Sequence, residues 1–186
     1  MMEELPLSRV YRLIEPGPVV LVTTVRHGER PNIMTMSYHM VVQDAAPPLI
    51  GCSIGPWDYS FRALRETGEC VIAVPAADLA EKAVEIGNCS GADLDKFESF
   101  GLTPVPAGRV QPPLIAECLA NLECRVKDDS ILGTYNLLIL EVVGAWIDPD
   151  RRERRLIHHN GNGTFTLDGK TLDLRDKMVK WPTYIA

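Results

Sequence analysis

Two stretches of the 186-residue chain carry polar side chains in patterns that can hold a ligand. In Asn32-Ile33-Met34-Thr35-Met36-Ser37-Tyr38, hydroxyl-bearing residues alternate with apolar ones at the spacing that places them on opposite faces of a strand. A planar heteroaromatic ligand with a phosphate arm can lie across such a polar face. The simpler alternative is a half-buried strand whose polar face meets solvent. In Ser53-Ile54-Gly55-Pro56-Trp57-Asp58-Tyr59-Ser60, a strand ends, the chain turns through Gly-Pro and a helix begins. Free N–H groups and a hydroxyl at a helix start favour an anion, phosphate above all. The alternative is that Asp58 or Ser60 only caps the helix.

Other chemistries leave no trace. The chain has no GxGxxG after its first strand and no GxxxxGK[ST]. The histidines are His27, His39, His158 and His159. The last two are adjacent and point opposite ways on a strand, a poor chelate, so no metal site is expected. The run Asp150-Arg151-Arg152-Glu153-Arg154-Arg155 reads as a solvated connector with internal ion pairs.

The elements that position the two stretches are mostly strands. Val19–Val25 is β-branched and ends in a turn at Gly28. Asn32–Val42 returns as one long strand, with Met34, Met36, Tyr38 and Met40 on one face and Thr35, Ser37 and His39 on the other. Further strands are expected at Leu49–Ile54, Glu69–Val74, Cys118–Val126 and Tyr135–Ile147, the last two joined as a hairpin across Lys127–Gly133. Helices are expected at Tyr59–Glu66 and Ala76–Gly87, broken by Ser90-Gly91, with a further turn at Leu94–Phe100. Residues 102–116 are Pro-rich and loop-like. In the tail, Asp168-Gly169 is the strongest short-range hairpin signal. The expectation is a mainly β protein, a β-barrel with short helices. It forms a single domain over 1–186, with a core at about 11–150 and a hairpin extension over 156–186.

Composition bounds the function. The net charge of −6 disfavours broad nucleic-acid binding, although residues 150–186 carry +3 of it and leave −9 to the rest. No apolar run approaches the roughly 20 residues of a membrane span, and the amino end has no secretory pattern. The five cysteines, Cys52, Cys70, Cys89, Cys118 and Cys124, are odd in number and widely spaced. They suit a reducing cytoplasm, several as small buried hydrophobes, better than a disulfide framework.

Taken in order, PGPVVLVTT, NIMTMS, PPLIGCSI, GECVIAVP, Asp95-Lys96-Phe97, LEVVGAWID and the tail HHNGNGTFTLDGKTLDLRDKMVKW resemble the flavin reductase-like family, with its FMN-binding split-barrel fold, and in particular its flavoredoxin-like branch. The resemblance covers nearly the whole chain. It implies a homodimer that binds FMN non-covalently and moves electrons through it, as an NAD(P)H-dependent flavin reductase or a flavoredoxin-like carrier. A non-catalytic protein that stores or senses FMN is the alternative. A remoter one is another split-barrel chemistry, such as oxidation of a pyridoxamine-type substrate or haem binding.

The resemblance also implies residue roles. Thr35, Met36 and Ser37, with Asn32 and Met34 on the same strand, match the segment along the isoalloxazine ring and ribityl chain. Ser53, Ile54 and Gly55 match its other edge. Tyr59 and Ser60 match the phosphate position, and Lys96 either neutralises the phosphate or meets the ring. A lysine salt-bridged to a nearby acid is the equal alternative. No catalytic side chain is assigned, because the cofactor carries the hard step. Where many members have Gly-Asp-His before the last long strand, this chain has Gly133-Thr134-Tyr135. Tyr135 takes the position on the nicotinamide side, either to stack on a ring or as an ordinary strand aromatic.

Overall fold

The computed structural model describes residues 5–14 and 17–177. Residues 178–186 of the expected tail extension, and residues 1–4 of the amino end, lie outside the described residues. Among the described residues the α-helices are α1 (Tyr11–Ile14), α2 (Tyr59–Thr67), α3 (Ala80–Gly87), α4 (Lys96–Ser99) and α5 (Leu132–Tyr135), beside short 3-10 turns. The strands are β1 (Val20–Thr24), β2 (Asn32–Met36), β3 (His39–Gln43), β4 (Leu49–Ser53), β5 (Glu69–Val74), β6 (Pro104–Val105), β7 (Leu114–Ile115), β8 (Ala120–Asp128), β9 (Leu137–Ile147), β10 (Ile157–His159) and β11 (Phe165–Leu167).

Seven strands form one antiparallel sheet in the order β2-β1-β5-β8-β9-β4-β3. Its two edge strands, β2 and β3, are separated in sequence only by Ser37 and Tyr38. The three steps from Met36 to His39 span at most about 11 Å, so the edges must meet at that end and the sheet must curl into a barrel. The long strand expected over Asn32–Val42 is therefore two strands on opposite edges. The alternation runs unbroken through Ser37-Tyr38, so the pattern hides the switch. Met36 faces the core while Met40 is exposed, and the expected shared face does not exist.

The barrel interior holds Val20, Val22, Met36, Cys52, Ile54, Leu64, Cys70, Ile72, Cys124, Leu138 and Leu140. Alternate residues of the same strands, Val19, Leu21, Ile33 and Ala73, point outward and are covered by Leu79, Ala83, Ile86 and Phe97 of the α3–α4 region. β1 is thus buried on both faces, which explains its continuous run of apolar residues. The β1–β2 turn places Gly28 at φ 75°, as expected.

Two turns differ from expectation. The tail hairpin β10–β11 reverses through Asn160–Thr164, where Gly161 and Gly163 both take positive φ. Asp168 follows the hairpin instead, accepting from Leu156 N and pairing with His158. Asn-Gly-Asn-Gly is itself a turn sequence, and it sits where β10 and β11 can still pair. The β8–β9 connection contains the helical turn α5, so Tyr135 ends a helix and does not start a strand.

One buried charge fixes the Pro-rich loop to the barrel. The fully buried Glu123 carboxylate on β8 accepts from the N–H groups of Gly108, Arg109 and Val110 and from Trp146 Nε1 at 2.6 Å. Burial alone pushes this carboxyl up. The bonds from Trp146 and from the backbone of Arg109, Gly108 and Val110 outweigh it and hold it below its ordinary 4.5. Its stabilisation is therefore present above the unfolded pKa and is lost as pH falls through the lower folded one. Replacing Glu123 by Gln points an amide N–H at these donors. It should cost about 2–4 kcal/mol in urea unfolding at neutral pH, with the difference from wild type shrinking in acid. An unchanged midpoint at neutral pH would show that the cage contributes nothing.

Candidate functional site

A cleft of about 200 Å³ opens beside β2, between the start of α2 and the α3–α4 connection. Asn32, Met34 and Thr35 line it from β2, Asp58 and Tyr59 from the α2 start, and Cys89, Gly91 and Lys96 from the far side. Barrel closure creates this site. As an edge strand, β2 pairs only with β1 and leaves its other side to the helices.

The floor is a small buried polar network. Ser60 Oγ, fully buried, accepts from Asn32 Nδ2 at 2.9 Å and from Thr24 Oγ1 at 3.1 Å. That orientation leaves Asn32 Oδ1 buried without a hydrogen-bond partner, although Asn32 is only 6% exposed. An unpaired buried acceptor is costly in a finished structure. Gly91 lies directly against it. A Cβ there would come within 2.0 Å of Asn32 Oδ1 and 3.0 Å of Tyr59 Cδ1, so only glycine fits.

Lys96 is the one cation among the described lining residues. It is 4% exposed, and its Nζ donates to Ile86 O at 2.8 Å. No carboxylate among the described residues pairs with it, so the salt-bridge alternative is not realised. Burial lowers its pKa from 10.5, and neighbouring Cys89 pulls the other way. The cleft thus keeps a poorly solvated positive charge with unused N–H donors.

The α2 start adds to this. Asp58 occupies the N-cap position, yet its side chain gives the helix no cap bond and turns back to accept from Gly55 N at 2.9 Å. α4 behaves oppositely, its Asp95 side chain accepting from Phe97 N and Glu98 N. Neither expected capping arrangement, through Asp58 or through Ser60, therefore operates at α2. The positive end of this nine-residue helix faces the cleft without a side-chain cap.

The other residues singled out in the sequence are dispersed. Met36 and Ile54 point into the barrel. Gly55 lies under the Trp57 ring, which a Cβ would strike at 2.2 Å. Ser37 and Ser53 line a separate apolar depression of about 320 Å³ with Tyr11, Ile14, Tyr38 and Met40. Ser37 also borders a third hollow of about 160 Å³, formed by Thr35, Ala83, Gly87, His159 and Phe165. This hollow shares Thr35 and Gly87 with the first cleft, so the two run on along β2. The Thr35 hydroxyl donates to Ala83 O, fixing β2 to α3. His159 packs on Phe165 with ring centroids 5.1 Å apart. Tyr135 is 69% exposed on α5 and borders none of these hollows.

Sequence reasoning missed Cys89, Gly91 and the His159–Phe165 pair as site residues. Gly91 carried a signal, but as a helix breaker. Of the basic run, Arg155 pairs internally with Glu153, as expected for a connector, whereas Arg151 reaches out of the run to Asp78. No described group of His, Cys, Asp and Glu residues is arranged to hold a metal ion. Among the described residues no helix is long and apolar enough to cross a membrane.

Comparison with known proteins gives these features a context. Residues 11–165 match the model of the flavin reductase like domain. An uncharacterised protein of Archaeoglobus fulgidus is 38% identical over 145 residues, covering 74% of this chain and 81% of its own. The uncharacterised protein YddH of Escherichia coli is 30% identical over 177 residues, covering 88% and 93%. Among solved structures, flavoredoxin of Desulfovibrio vulgaris (Miyazaki F) superposes with a TM-score of 0.80 at 25% identity, over 93% of this chain and 96% of its own. An FMN-binding domain of a flavin reductases-like enzyme from Shewanella baltica gives 0.77 at 25% identity, over 91% and 95%. The curled seven-stranded barrel is the split barrel of these proteins, and the chain belongs to the flavin reductase-like family.

Proposed function

We propose that this protein binds FMN non-covalently, with the phosphate in the cleft at Lys96 and the α2 start, and works as a flavin-dependent oxidoreductase. The observation that carries this is the buried Lys96 ammonium, which has no carboxylate partner, facing a helix start without a side-chain cap. The residues present fit the group. Lys96 and the first N–H groups of α2 are donors for phosphate oxygens. Asn32 Oδ1 is an unpaired acceptor for a ribityl hydroxyl. The Thr35–Ser37 stretch of chain leads toward the His159–Phe165 hollow, which offers aromatic and aliphatic side chains against which a ring system can pack.

When bound, FMN supplies the redox step by exchanging hydride at N5. The protein's residues do the rest. Lys96 and the helix start anchor one end, and β2 fixes the direction of the groove. Ser60 is a positioning residue, since its hydroxyl holds the Asn32 amide from below. Reductant and acceptor then need only be held close. NADH or NADPH is the proposed reductant. The exposed Tyr135, in place of the family's His, favours a second reading: a carrier or binder that nicotinamides do not reduce.

A homodimer in the cytoplasm completes the proposal. β3 pairs on one side only and exposes Met40, Val41 and Val42, with Val41 74% exposed. Such an apolar edge is an aggregation hazard unless another chain covers it, and a second copy is the simplest cover.

Two outcomes test these statements. Purified protein mixed with FMN should retain yellow flavin, and anaerobic NADH or NADPH should bleach it. Colourless protein that ignores added FMN refutes the cofactor, whereas yellow protein that neither nucleotide bleaches excludes the reductase and leaves the carrier or binder. Light scattering should give the mass of two chains for wild type and of one chain for Val41→Lys with Met40→Lys. A monomeric wild type contradicts the dimer.

A further inference from the structure

Cys89 stands apart from the other cysteines. Cys52, Cys70, Cys118 and Cys124 are buried, and burial pushes the Cys52 and Cys118 thiols up to about 12. Cys89 is half-buried and lines the cleft itself. Its Sγ lies 3.5 Å from Ile86 O, the same carbonyl that accepts from Lys96 Nζ, so thiol and ammonium are neighbours. The orphaned, nine-tenths buried Asn32 Oδ1 and the buried Lys96 mark the same cleft independently as a ligand site.

We propose that Cys89 is a redox-sensitive modification site of the cleft, oxidised by hydrogen peroxide to the sulfenic acid, which blocks FMN binding, and shielded when FMN is bound. The inference rests on the FMN reading above. The thiolate sulphur attacks one peroxide oxygen. An S–O bond forms as the O–O bond breaks, and the departing hydroxide takes up a proton and leaves as water. Sulphur loses two electrons and the peroxide gains them. The new oxygen on Sγ is a hydrogen-bond acceptor beside Lys96, the cleft's one cation among the described residues. It competes with phosphate for that donor and takes up space at the wall. Met34 lines the cleft too, so oxidation there has to be separated from oxidation at Cys89.

The test treats the whole protein with hydrogen peroxide and traps sulfenic acid with dimedone. Peptide mass spectrometry locates the adduct, and FMN affinity is read by fluorescence quenching. The expected results are an adduct on Cys89 and an FMN affinity lower by at least about tenfold, the loss of one good charged contact. Dithiothreitol should restore that affinity. Cys89→Ser, compared with its own untreated sample, should keep its affinity through peroxide. Saturation with FMN at about a hundred times Kd should slow the Cys89 reaction by at least about tenfold. The inference is overturned if oxidised Cys89 leaves affinity unchanged, if Cys89→Ser loses as much as wild type, or if saturating FMN gives no protection. Should untreated protein not bind FMN at all, the cofactor reading falls and this inference with it. If FMN binds and peroxide spares Cys89, only the thiol inference falls.

Discussion

Everything in this molecule follows from one chain constraint: β2 and β3 are joined by two residues yet occupy opposite edges of a seven-stranded sheet. The sheet has to curl until the edges meet. Curling gives the strands an inside and an outside, and both must be filled. The inside is packed with branched aliphatics, Met36 and three thiols, and the outside of β1, β2 and β5 is packed by α3 and α4. Backbone pairing does not continue from β2 to β3, so a seam remains. The cleft opens beside the edge strand β2, where the helical region covers it.

The cleft beside β2 keeps polar groups that the fold itself does not satisfy. Glu123, by contrast, is paired in full by four N–H donors, and outside the cleft Arg151 Nε is the other buried side-chain atom without a partner among the described residues. At the cleft the accounting stays open, with Asn32 Oδ1 unpaired and Lys96 without a counter-charge. Groups of this kind cost stability when buried, and a ligand of opposite character removes the cost. The contrast between the two sites locates function more sharply than the net charge of −6, which says only that the surface as a whole is acidic.

Much of this was legible in the sequence. β1, β4 and β5 announce themselves as β-branched or apolar runs between turn residues, and the order of weak motifs carried the family. The break between β2 and β3 was not legible, because Ser37-Tyr38 continues the alternation and only closure of the barrel decides where a ladder ends. The hairpin at Asn160–Thr164 lost to Asp168-Gly169 because both are good turn sequences and register is a tertiary property. Asn32, Met34, Thr35, Tyr59 and Lys96 line the cleft, whereas Met36 and Ile54 have side chains in the core and Ser60 lies beneath Asn32. Spacing along a strand assigns a face. It does not tell which face a curled sheet turns inward. Cys89 and Gly91 belong to a loop whose position is set by α3 packing on β2, a contact with no local signature.

The central claim is that the cleft holds the phosphate of the cofactor and that Lys96 is its counter-charge. Comparing FMN with riboflavin, which differs only in lacking the phosphate, tests this most directly. FMN should bind at least about a hundredfold more tightly than riboflavin, the worth of two charge-assisted contacts, and Lys96→Met should remove most of the difference while leaving riboflavin binding nearly unchanged. Equal affinity for the two flavins, or a preference for FMN that survives Lys96→Met intact, would contradict it.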